Sequence, residues 1–408
     1  MILSQKQRKN KLKVAFLLYK PPPNVMGGGD IAVRTLIDIL KRIPEVGKIE
    51  IFAISDRGYK ERILGNVIQR HIKGYGYPER GFSRFLDLLC LFIFGFRPSL
   101  TTIGKNRKVV DALVKYDPDL LIALSFQVNP IISKFKSINK NAKIIAYTDS
   151  PEVLSAVFDY LEATRLPNLL KKFVRILFYK RYIKFHQKVA VDFIKNSDMV
   201  VVPTEFDKEE ILQLSDINKK DVFVIPPISY KENEVRKLKP ISKIKKVVFV
   251  GACNFWPNLQ AIEIIKQKIA PKLKDIEFIV VGKYCKPQKE GNVNIMGEVK
   301  DLDPILREAG AFIAPIVSGR GIKTKILTYF LYRKPVIGTS LAFRGYKVKN
   351  NYNAIVEDNI DNMWRRLYEL NRSKEDILRI QKNSIKALED FKISKLKQKW
   401  IKVLRHGK

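Results

Sequence analysis

Residues 311–339 read AFIAPIVSGRGIKTKILTYFLYRKPVIGT, and their pattern decides the fold. A short apolar run leads into a glycine-containing loop, then into apolar residues at helical spacing, and then into a second apolar run. Continuous apolar runs are typical of strands that are buried on both faces of a parallel sheet. The stretch therefore predicts a strand, a crossover helix and a neighbouring parallel strand.

Strand-like runs alternate with helical stretches on both sides of this stretch. The first half contains KVAFLLY, KIEIFAIS, DLLIALS, KIIAYT and MVVVPT, and the second contains KVVFVGA, IEFIVVG, VNIMG, AFIAP, KPVIGT and NAIVED. We therefore predict an α/β protein with two Rossmann-like doubly wound domains. The predicted parts are an N-terminal domain at 1–226, a proline-containing charged linker at 227–245, a C-terminal domain at 246–392 and a last helix at 393–408.

Composition limits the partners and the compartment. The 408 residues include 76 Lys and Arg against 41 Asp and Glu, so the formal charge of +35 favours a membrane surface, nucleic acid or phosphorylated substrates. Cys90, Cys253 and Cys285 form no C-x-x-C pair, so we expect a reducing, cytoplasmic location without a disulfide framework or zinc site. The most apolar run, LLCLFIFGF at 88–96, is too short for a membrane span.

One glycine-rich loop follows the first predicted strand. In PPPNVMGGGD at 21–30, Gly27, Gly28 and Gly29 are predicted to stand just before a helix. Unpaired N–H groups at such a position attract anions, and glycine lets a ligand approach the backbone. A flexible turn capped by Asp30 is the alternative.

A second loop lies in GACNFWPNLQAIEII at 251–265, where a predicted strand ends in glycine. Pro257 and Asn258 mark the start of the next helix, which is ordinary boundary chemistry. The aromatic residues Phe255 and Trp256 either line a pocket or pack between domains.

The loop of the opening stretch, GRGIKTKIL at 319–327, combines glycine with positive charge. Gly319 and Gly321 permit backbone N–H groups to approach a diphosphate. Arg320 offers a forked contact to phosphate oxygens, and Lys325 adds a second cation about one turn into the helix. A diphosphate site is the functional interpretation, and a solvated basic helix start is the alternative.

Several segments together resemble one enzyme family. GRGIKTKIL with RKPVIGT at 333–339 is similar to the R-G-I-x-x-K-V-L-E-A-x-A-x-G-K-P-V-V stretch of GT-B glycosyltransferases of the GT4 type. VGACNFWPNLQAI resembles that family's V-G-x-x-x-x-x-P-N-x-x-A, and EVKDLDPILREAGAFIAP resembles its G-x-V-x-D-l-x-P-x-l-x-x-A-D-v-f-v-A-P. The resemblance covers nearly the whole chain, is strong over 246–345 and is weak over 57–110.

The resemblance implies a GT-B fold, in which two domains face each other across a cleft and the last helix returns to the first domain. It implies transfer of a sugar from a nucleotide-diphosphate donor to an acceptor, with retained anomeric configuration and without a metal or other cofactor. The donor is expected on the C-terminal domain and the acceptor on the N-terminal one. Arg320 and Lys325 match the family's cationic pair, which neutralises charge growing on the departing nucleotide diphosphate.

Other residues near that pair are expected to bind the donor. Besides the glycines of the first and third loops, they are Gly251, Asn254, Asn258, Ile322 and Thr328. Thr328 stands where the family has a glutamate that accepts hydrogen bonds from the donor ribose, and its shorter hydroxyl needs a bridging water. Residues 329–333 are also bulkier than the family's small residues. An inactive homologue that binds a membrane or a partner is therefore the alternative function.

Acidic residues give one candidate for chemistry. Asp149, at the end of KIIAYT, is placed to orient or deprotonate the acceptor hydroxyl, and a turn-forming D-S-P is the alternative. The D-x-D triplets at 117–119 and 301–303 are interpreted as a polar turn and a helix start. No metal site is predicted.

The positive charge is assigned to a membrane surface. In NLLKKFVRILFYKRYIKFHQKV at 168–189, apolar residues approximate one helical face and basic residues fill much of the rest. With the apolar run at 88–96, this pattern favours a lipid-linked or nascent-glycan acceptor and a peripheral position on the inner face of the cell membrane. An ordinary amphipathic helix is the alternative. Basic residues spread along the chain without a zinc finger or RNP-like strand argue against nucleic acid.

Overall fold

The computed structural model describes residues 11–19, 28–55, 60–64, 67–73, 90, 106–148, 184–185, 187–214, 217–319 and 321–406. The chain divides into two compact units. Unit 1 comprises Met1–Ile228 and Leu396–Lys408, and unit 2 comprises Ser229–Lys395. The described residues form one mainly parallel sheet in each unit.

The described helices are α1 (Gly28–Lys41), α2 (Arg107–Tyr116), α3 (Asn129–Ile138), α4 (Glu205–Leu214), α5 (Trp256–Ile264), α6 (Asp303–Glu308), α7 (Thr324–Leu331), α8 (Met363–Arg372), α9 (Lys374–Asn383) and α10 (Ile393–His406). Among the residues that the structure describes, no helix is long and apolar enough to cross a membrane.

The sheet of unit 1 contains β1 (Leu12–Leu18), β2 (Val46–Ser55), β3 (Lys60–Leu64), β4 (Val67–Lys73), β5 (Leu120–Leu124), β6 (Lys143–Tyr147), β7 (Met199–Val202) and β8 (Val222–Val224). The strand order is β3-β4-β2-β1-β5-β6-β7-β8, and only the β3–β4 pair is antiparallel. All four residues of β7 are buried, as its continuous apolar sequence predicts. Helices α2 and α3 contribute their apolar faces to the same core.

Helix α10 belongs mainly to unit 1 although it ends the chain. Trp400 is 1% exposed, and its ring stacks on Tyr147 of β6 with the centroids 6.2 Å apart. Lys399 donates a hydrogen bond to the backbone oxygen of Val224 at 3.2 Å. The apolar face of this helix therefore completes the core of a sheet whose other strands lie far away in sequence.

The sheet of unit 2 contains β9 (Lys246–Val250), β10 (Glu277–Val281), β11 (Gln288–Glu290), β12 (Val293–Gly297), β13 (Ala311–Ala314), β14 (Val336–Gly338) and β15 (Ile355–Val356). The strand order is β11-β12-β10-β9-β13-β14-β15, and only the β11–β12 pair is antiparallel. The chain passes from β9 to β10 and β12 on one side, and returns to β13 on the other. The carboxyl ends of β9 and β13 therefore form a topological switch point, where open α/β sheets bind ligands.

Candidate functional site

Three segments of unit 2 meet at this switch point. Gly251 follows β9, α5 begins at Trp256, and the loop after β13 leads into α7. The site therefore lies within unit 2, at one edge of its sheet. Its described residues come from the second and third loops that the sequence predicts.

Lys325, in the first turn of α7, is the centre of the site. Its Nζ donates a hydrogen bond to Oδ1 of Asn258 at 2.6 Å and lies 4.1 Å from the ring centroid of Phe249. Asn258 is 8% exposed, and its Nδ2 donates to the backbone oxygen of Ala252 at 2.9 Å. This second hydrogen bond fixes the amide so that its oxygen faces Lys325. The ammonium group is therefore held in one position by a polar and an aromatic neighbour.

Glycine is required at position 251 by these side chains. A Cβ atom there would lie 2.7 Å from Cγ of Asn258 and 2.9 Å from Nζ of Lys325. Neither neighbour can move freely, because each is hydrogen-bonded to the other. The glycine thus keeps the backbone at the end of β9 close to the lysine.

Burial and, to a smaller extent, the charge of nearby Lys323 lower the pKa of Lys325 to about 7. In the part of the chain that the structure describes, no carboxylate pairs with Lys325. An anion bound at this point would offset the desolvation of the ammonium group and would raise its pKa. The site is therefore suited to a negatively charged ligand.

The loop between β13 and α7 adopts a backbone conformation that favours glycine. Gly319 and Gly321 have φ angles of +92° and +68°. The Nζ of Lys323 donates to the backbone oxygen of Gly321 at 2.9 Å, and Tyr346 Oη donates to the oxygen of Lys323 at 2.8 Å. A Cβ on Gly319 would come within 3.0 Å of Pro257 in the first turn of α5. The two loops are thus in close contact.

The bulky residues that follow Lys325 have a structural role that the sequence did not reveal. Tyr329 is fully buried, and its ring stacks on Phe312 of β13 with the centroids 4.3 Å apart. Its Oη accepts a hydrogen bond from the backbone N–H of Val250 at 2.7 Å. Tyr329 therefore ties α7 to the end of β9. Thr328, three residues after Lys325, is partly exposed.

Cys253 and Cys285 form a disulfide, so the expectation that the cysteines remain unpaired is wrong. The two residues are 32 positions apart in the sequence, but they follow β9 and β10, which are adjacent strands. The backbone N–H of Cys253 also donates to the oxygen of Lys283 at 2.9 Å. The loop that begins with Gly251 is thus fixed covalently to its neighbour.

Part of the chain is similar to a known protein family. Residues 244–371, which include the whole site, match the family model described as Glycosyl transferases group 1. Most of unit 2 is therefore similar to group 1 glycosyl transferases. A search of curated protein sequences finds no significant match.

Solved structures show the fold of the whole chain. Sucrose-phosphate synthase from Thermosynechococcus elongatus aligns with a TM-score of 0.68 at 13% identity, covering 97% of this chain and 99% of that one. The UDP-forming α,α-trehalose-phosphate synthase from Burkholderia xenovorans, in complex with glucose-6-phosphate, gives 0.65 at 12% identity over 96% and 100%. Anabaena HepE in complex with UDP-glucose gives 0.61 at 13% identity over 97% and 100%. The predicted GT-B fold and the resemblance to group 1 glycosyltransferases are confirmed.

Not every predicted site residue joins the site in unit 2. Asn254 is exposed on the loop after β9, and Ile322 is partly exposed on the loop before α7. Arg320, Asp149 and Gly27 lie outside the described residues, as do most of the segments 88–96 and 168–189.

Gly28 and Gly29 lie in unit 1 and are the first two residues of α1. The prediction that both precede the helix is therefore wrong. The apolar spacing that marked the helix begins only at Ala32, and glycines without side chains carry no sign of the preceding turn.

The acidic triplets have structural partners. Asp117 ends α2 in a left-handed conformation, and Asp119 accepts a hydrogen bond from the backbone N–H of Lys13 at 2.8 Å. Asp301 accepts one from the backbone N–H of Asp303 at 2.9 Å. Over the described ranges, no group of three or more His, Cys, Asp or Glu side chains is arranged to hold a metal ion.

Ser125 is a residue of unit 1 that sequence reasoning missed. It follows β5, next to β1, at the switch point of the first sheet, and its φ angle is +109°. Its Oγ accepts a hydrogen bond from the backbone N–H of Gln127. Such a conformation costs a non-glycine residue about 1–3 kcal/mol and is concentrated at functional sites. No sequence signal marks this residue, because serine there simply continues the strand-like run DLLIALS.

Proposed function

We propose that this protein is a glycosyltransferase that moves a sugar from a nucleotide-diphosphate sugar to an acceptor. The observation that carries the proposal is the desolvated ammonium group of Lys325, which is oriented by Asn258 and has no carboxylate partner among the described residues. It lies at the switch point of unit 2, most of which is similar to group 1 glycosyl transferases. HepE, which is similar in fold, binds UDP-glucose, and this supports a UDP-sugar as the first donor to test.

In the proposed reaction, the donor diphosphate lies against Lys325 and the loop that contains Gly319 and Gly321. Negative charge grows on the diphosphate as its bond to the anomeric carbon breaks. A protonated Lys325 stabilises that charge, and it needs no reorientation because Asn258 and Phe249 already hold it. Arg320 supplies the second positive charge, as the family resemblance implies. We propose retained anomeric configuration and no metal on the same ground.

Thr328 decides between the enzyme and its alternative. In an active enzyme, its hydroxyl reaches the donor ribose through a water molecule, which weakens donor binding without removing it. In an inactive homologue, the fold is kept for binding a membrane or another protein. Donor binding and sugar transfer must therefore be measured separately.

The first test is a thermal-shift series with UDP-, GDP- and ADP-sugars. We expect at least one donor to raise the melting temperature of the wild-type protein and to have no effect on Lys325→Met. Lys274→Met, which removes an exposed lysine of unit 2 outside the site, is the matched control and is expected to respond normally. If no nucleotide sugar stabilises the wild-type protein, the proposed function is wrong.

A second test follows sugar transfer from the bound donor. We propose a lipid-linked or nascent-glycan acceptor, with Asp149 facing its hydroxyl, and a peripheral position on an anionic cytoplasmic membrane face. The formal charge of +35 supports this proposal. Release of nucleoside diphosphate is measured with a polyprenyl-diphosphate-linked sugar, with and without anionic vesicles. Donor binding without any release would favour the inactive homologue.

A further inference from the structure

A second cluster of lysines lies at the opposite edge of the sheet in unit 2. The amino ends of β9, β13 and β14 border a cavity of about 470 Å³. We call it the amino-end cavity, and the residues that line it include Ile241, Lys243, Lys245, Lys246, Glu308 and Lys334. A strand of five residues such as β9 spans roughly 16 Å, so this cavity is distinct from the Lys325 site.

Lys334 is the buried member of this cluster. Only 7% of the residue is exposed, and within the described ranges it has neither a carboxylate nor a hydrogen-bond partner. Burial lowers its pKa, and the neighbouring charge of Lys239 acts in the same direction. A desolvated lysine without a counter-charge opposes folding unless an anion accompanies it. The position of Lys334 on the cavity wall shows where that anion would lie.

The cavity has an excess of positive charge. Its one lining carboxylate is Glu308, which is already paired with Lys246 at 2.7 Å. Because Glu308 is already paired, the positive charges of Lys243, Lys245 and Lys334 have no carboxylate partner among the described residues. Phosphate groups are the ligands that such clusters of lysine bind, because each oxygen accepts a charge-assisted hydrogen bond.

One buried amide side chain fixes the wall of the cavity. Gln381 is fully buried, and its Nε2 donates to the backbone oxygens of Lys239 at 3.0 Å and Arg333 at 3.2 Å. Its Oε1 accepts from the N–H of Ile241 at 3.0 Å. One side chain therefore holds the segment before β9 against the residue that precedes Lys334. The backbone on both sides of the cavity is positioned by this side chain before any ligand arrives.

We propose that the amino-end cavity binds an anion of the diphosphate class, at a site separate from the donor site. Three uncompensated lysines match a ligand with several negative charges better than they match a single carboxylate. The volume is in the range of pockets that hold small molecules. The phosphate groups belong either to a free phosphorylated compound or to a lipid head group.

The test uses inorganic pyrophosphate in the full-length Lys325→Ala variant, in which the donor site is weakened. Isothermal titration is expected to show binding that weakens about 10-fold to 100-fold when Lys334→Met is added. Adding Lys274→Met instead is expected to leave the affinity unchanged. Sodium chloride at matched ionic strength controls for screening. Equal pyrophosphate affinity with and without Lys334→Met would overturn the proposal.

A second pair of measurements covers folding and the source of the phosphate. If Lys334→Met does not fold, Lys243→Gln with Lys245→Gln replaces it, because both lysines are exposed, and the same loss of affinity is expected. Vesicles of phosphatidylcholine with phosphatidic acid are compared with pure phosphatidylcholine. Lys334-dependent pelleting assigns the site to lipid, and Lys334-dependent pyrophosphate binding without pelleting assigns it to a free compound. Binding of neither probe would refute the site, even if the donor site proves correct.

Discussion

Partly buried Lys325 and buried Lys334 lie at opposite edges of the same sheet, and their surroundings differ. At the carboxyl edge, Lys325 is oriented by the Asn258 oxygen and the Phe249 ring. At the amino edge, Lys334 is confined in a cavity wall without an orienting partner among the described residues. Burial lowers the pKa of both. Desolvation alone is enough for a lysine to attract an anion. To stabilise negative charge that develops on one atom during a reaction, the ammonium group must also be held in a fixed orientation.

The largest expected difference between the two lysines is in the catalytic rate, which is tested by replacing each lysine in turn. Lys325→Ala is expected to lower kcat by about 100-fold to 1000-fold, because loss of one stabiliser of developing charge costs roughly 3 to 4 kcal/mol. Lys334→Ala is expected to change kcat by less than about twofold, because no reacting atom lies near it. Turnover of the donor found by thermal shift is the measurement. A similar loss in both variants would show that the two edges do not differ as described.

The second largest effect concerns how each edge is held together. The carboxyl edge is held covalently by Cys253 and Cys285, whereas the amino edge is held by the amide of Gln381. Cys253→Ser is expected to lower the unfolding free energy by about 3 kcal/mol, because the unfolded chain gains freedom. Guanidinium unfolding without reductant measures this loss. Cys285→Ser and the double variant should match it, whereas loss of stability that simply adds in the double variant would contradict the pairing.

The disulfide also shows what the sequence could not reveal. Whether two loops are neighbours depends on strand order, and β9 and β10 are adjacent although their cysteines are 32 residues apart. The same reason hid Gln381, two of whose partners, Lys239 and Ile241, lie 142 and 140 positions earlier in the chain. By contrast, Gly251, Gly319 and Lys325 were predictable, because each belongs to a short motif next to a strand.

The strands also differ in whether the sequence alone predicts them. Central strands such as β7 and β13 were predicted, because strands covered on both faces are continuously apolar. Strands β3, β4, β8 and β11 were missed. The residues of β11 are all exposed, and β4 carries Arg70, which pairs with buried Glu50 of β2 at 2.7 Å. Strands β3, β8 and β11 lie at sheet edges, and β4 lies beside the edge strand β3. Strands at or near an edge are short or carry polar residues, so they lack the long apolar run that marks a central strand.

The third effect is a pH dependence of nucleotide affinity. We expect it from Lys325, which is oriented, and not from Lys334. Free Lys325 has a pKa of about 7, so at pH 8 it is mostly neutral, and a bound diphosphate raises that pKa. Binding of nucleoside diphosphate at pH 8 is therefore expected to take up nearly one proton. Above pH 7 the affinity should fall by up to about tenfold per pH unit, or roughly 1.4 kcal/mol. Titration calorimetry in buffers of different ionisation enthalpy measures the uptake.

Lys325→Met is the control for this measurement, and it should bind more weakly and without proton uptake. The ligand-free protein shows the opposite sign in stability. Because the folded pKa lies below the unfolded value, the unfolded state binds more protons above pH 7, and this lysine makes the unfolding free energy rise with pH. Proton uptake that persists in Lys325→Met would assign the effect to another group.

The smallest effect is on stability at the amino edge. Lys334→Met keeps the length of the side chain and removes a desolvated charge that no described group compensates, so it should raise the unfolding free energy by about 1 kcal/mol in buffer without phosphate. Thermal and denaturant unfolding measure this gain, and exposed Lys274→Met should show none. Pyrophosphate should cancel the gain, because it stabilises only the protein that keeps the lysine. A variant that is less stable in both buffers would mean that Lys334 serves packing instead of binding an anion.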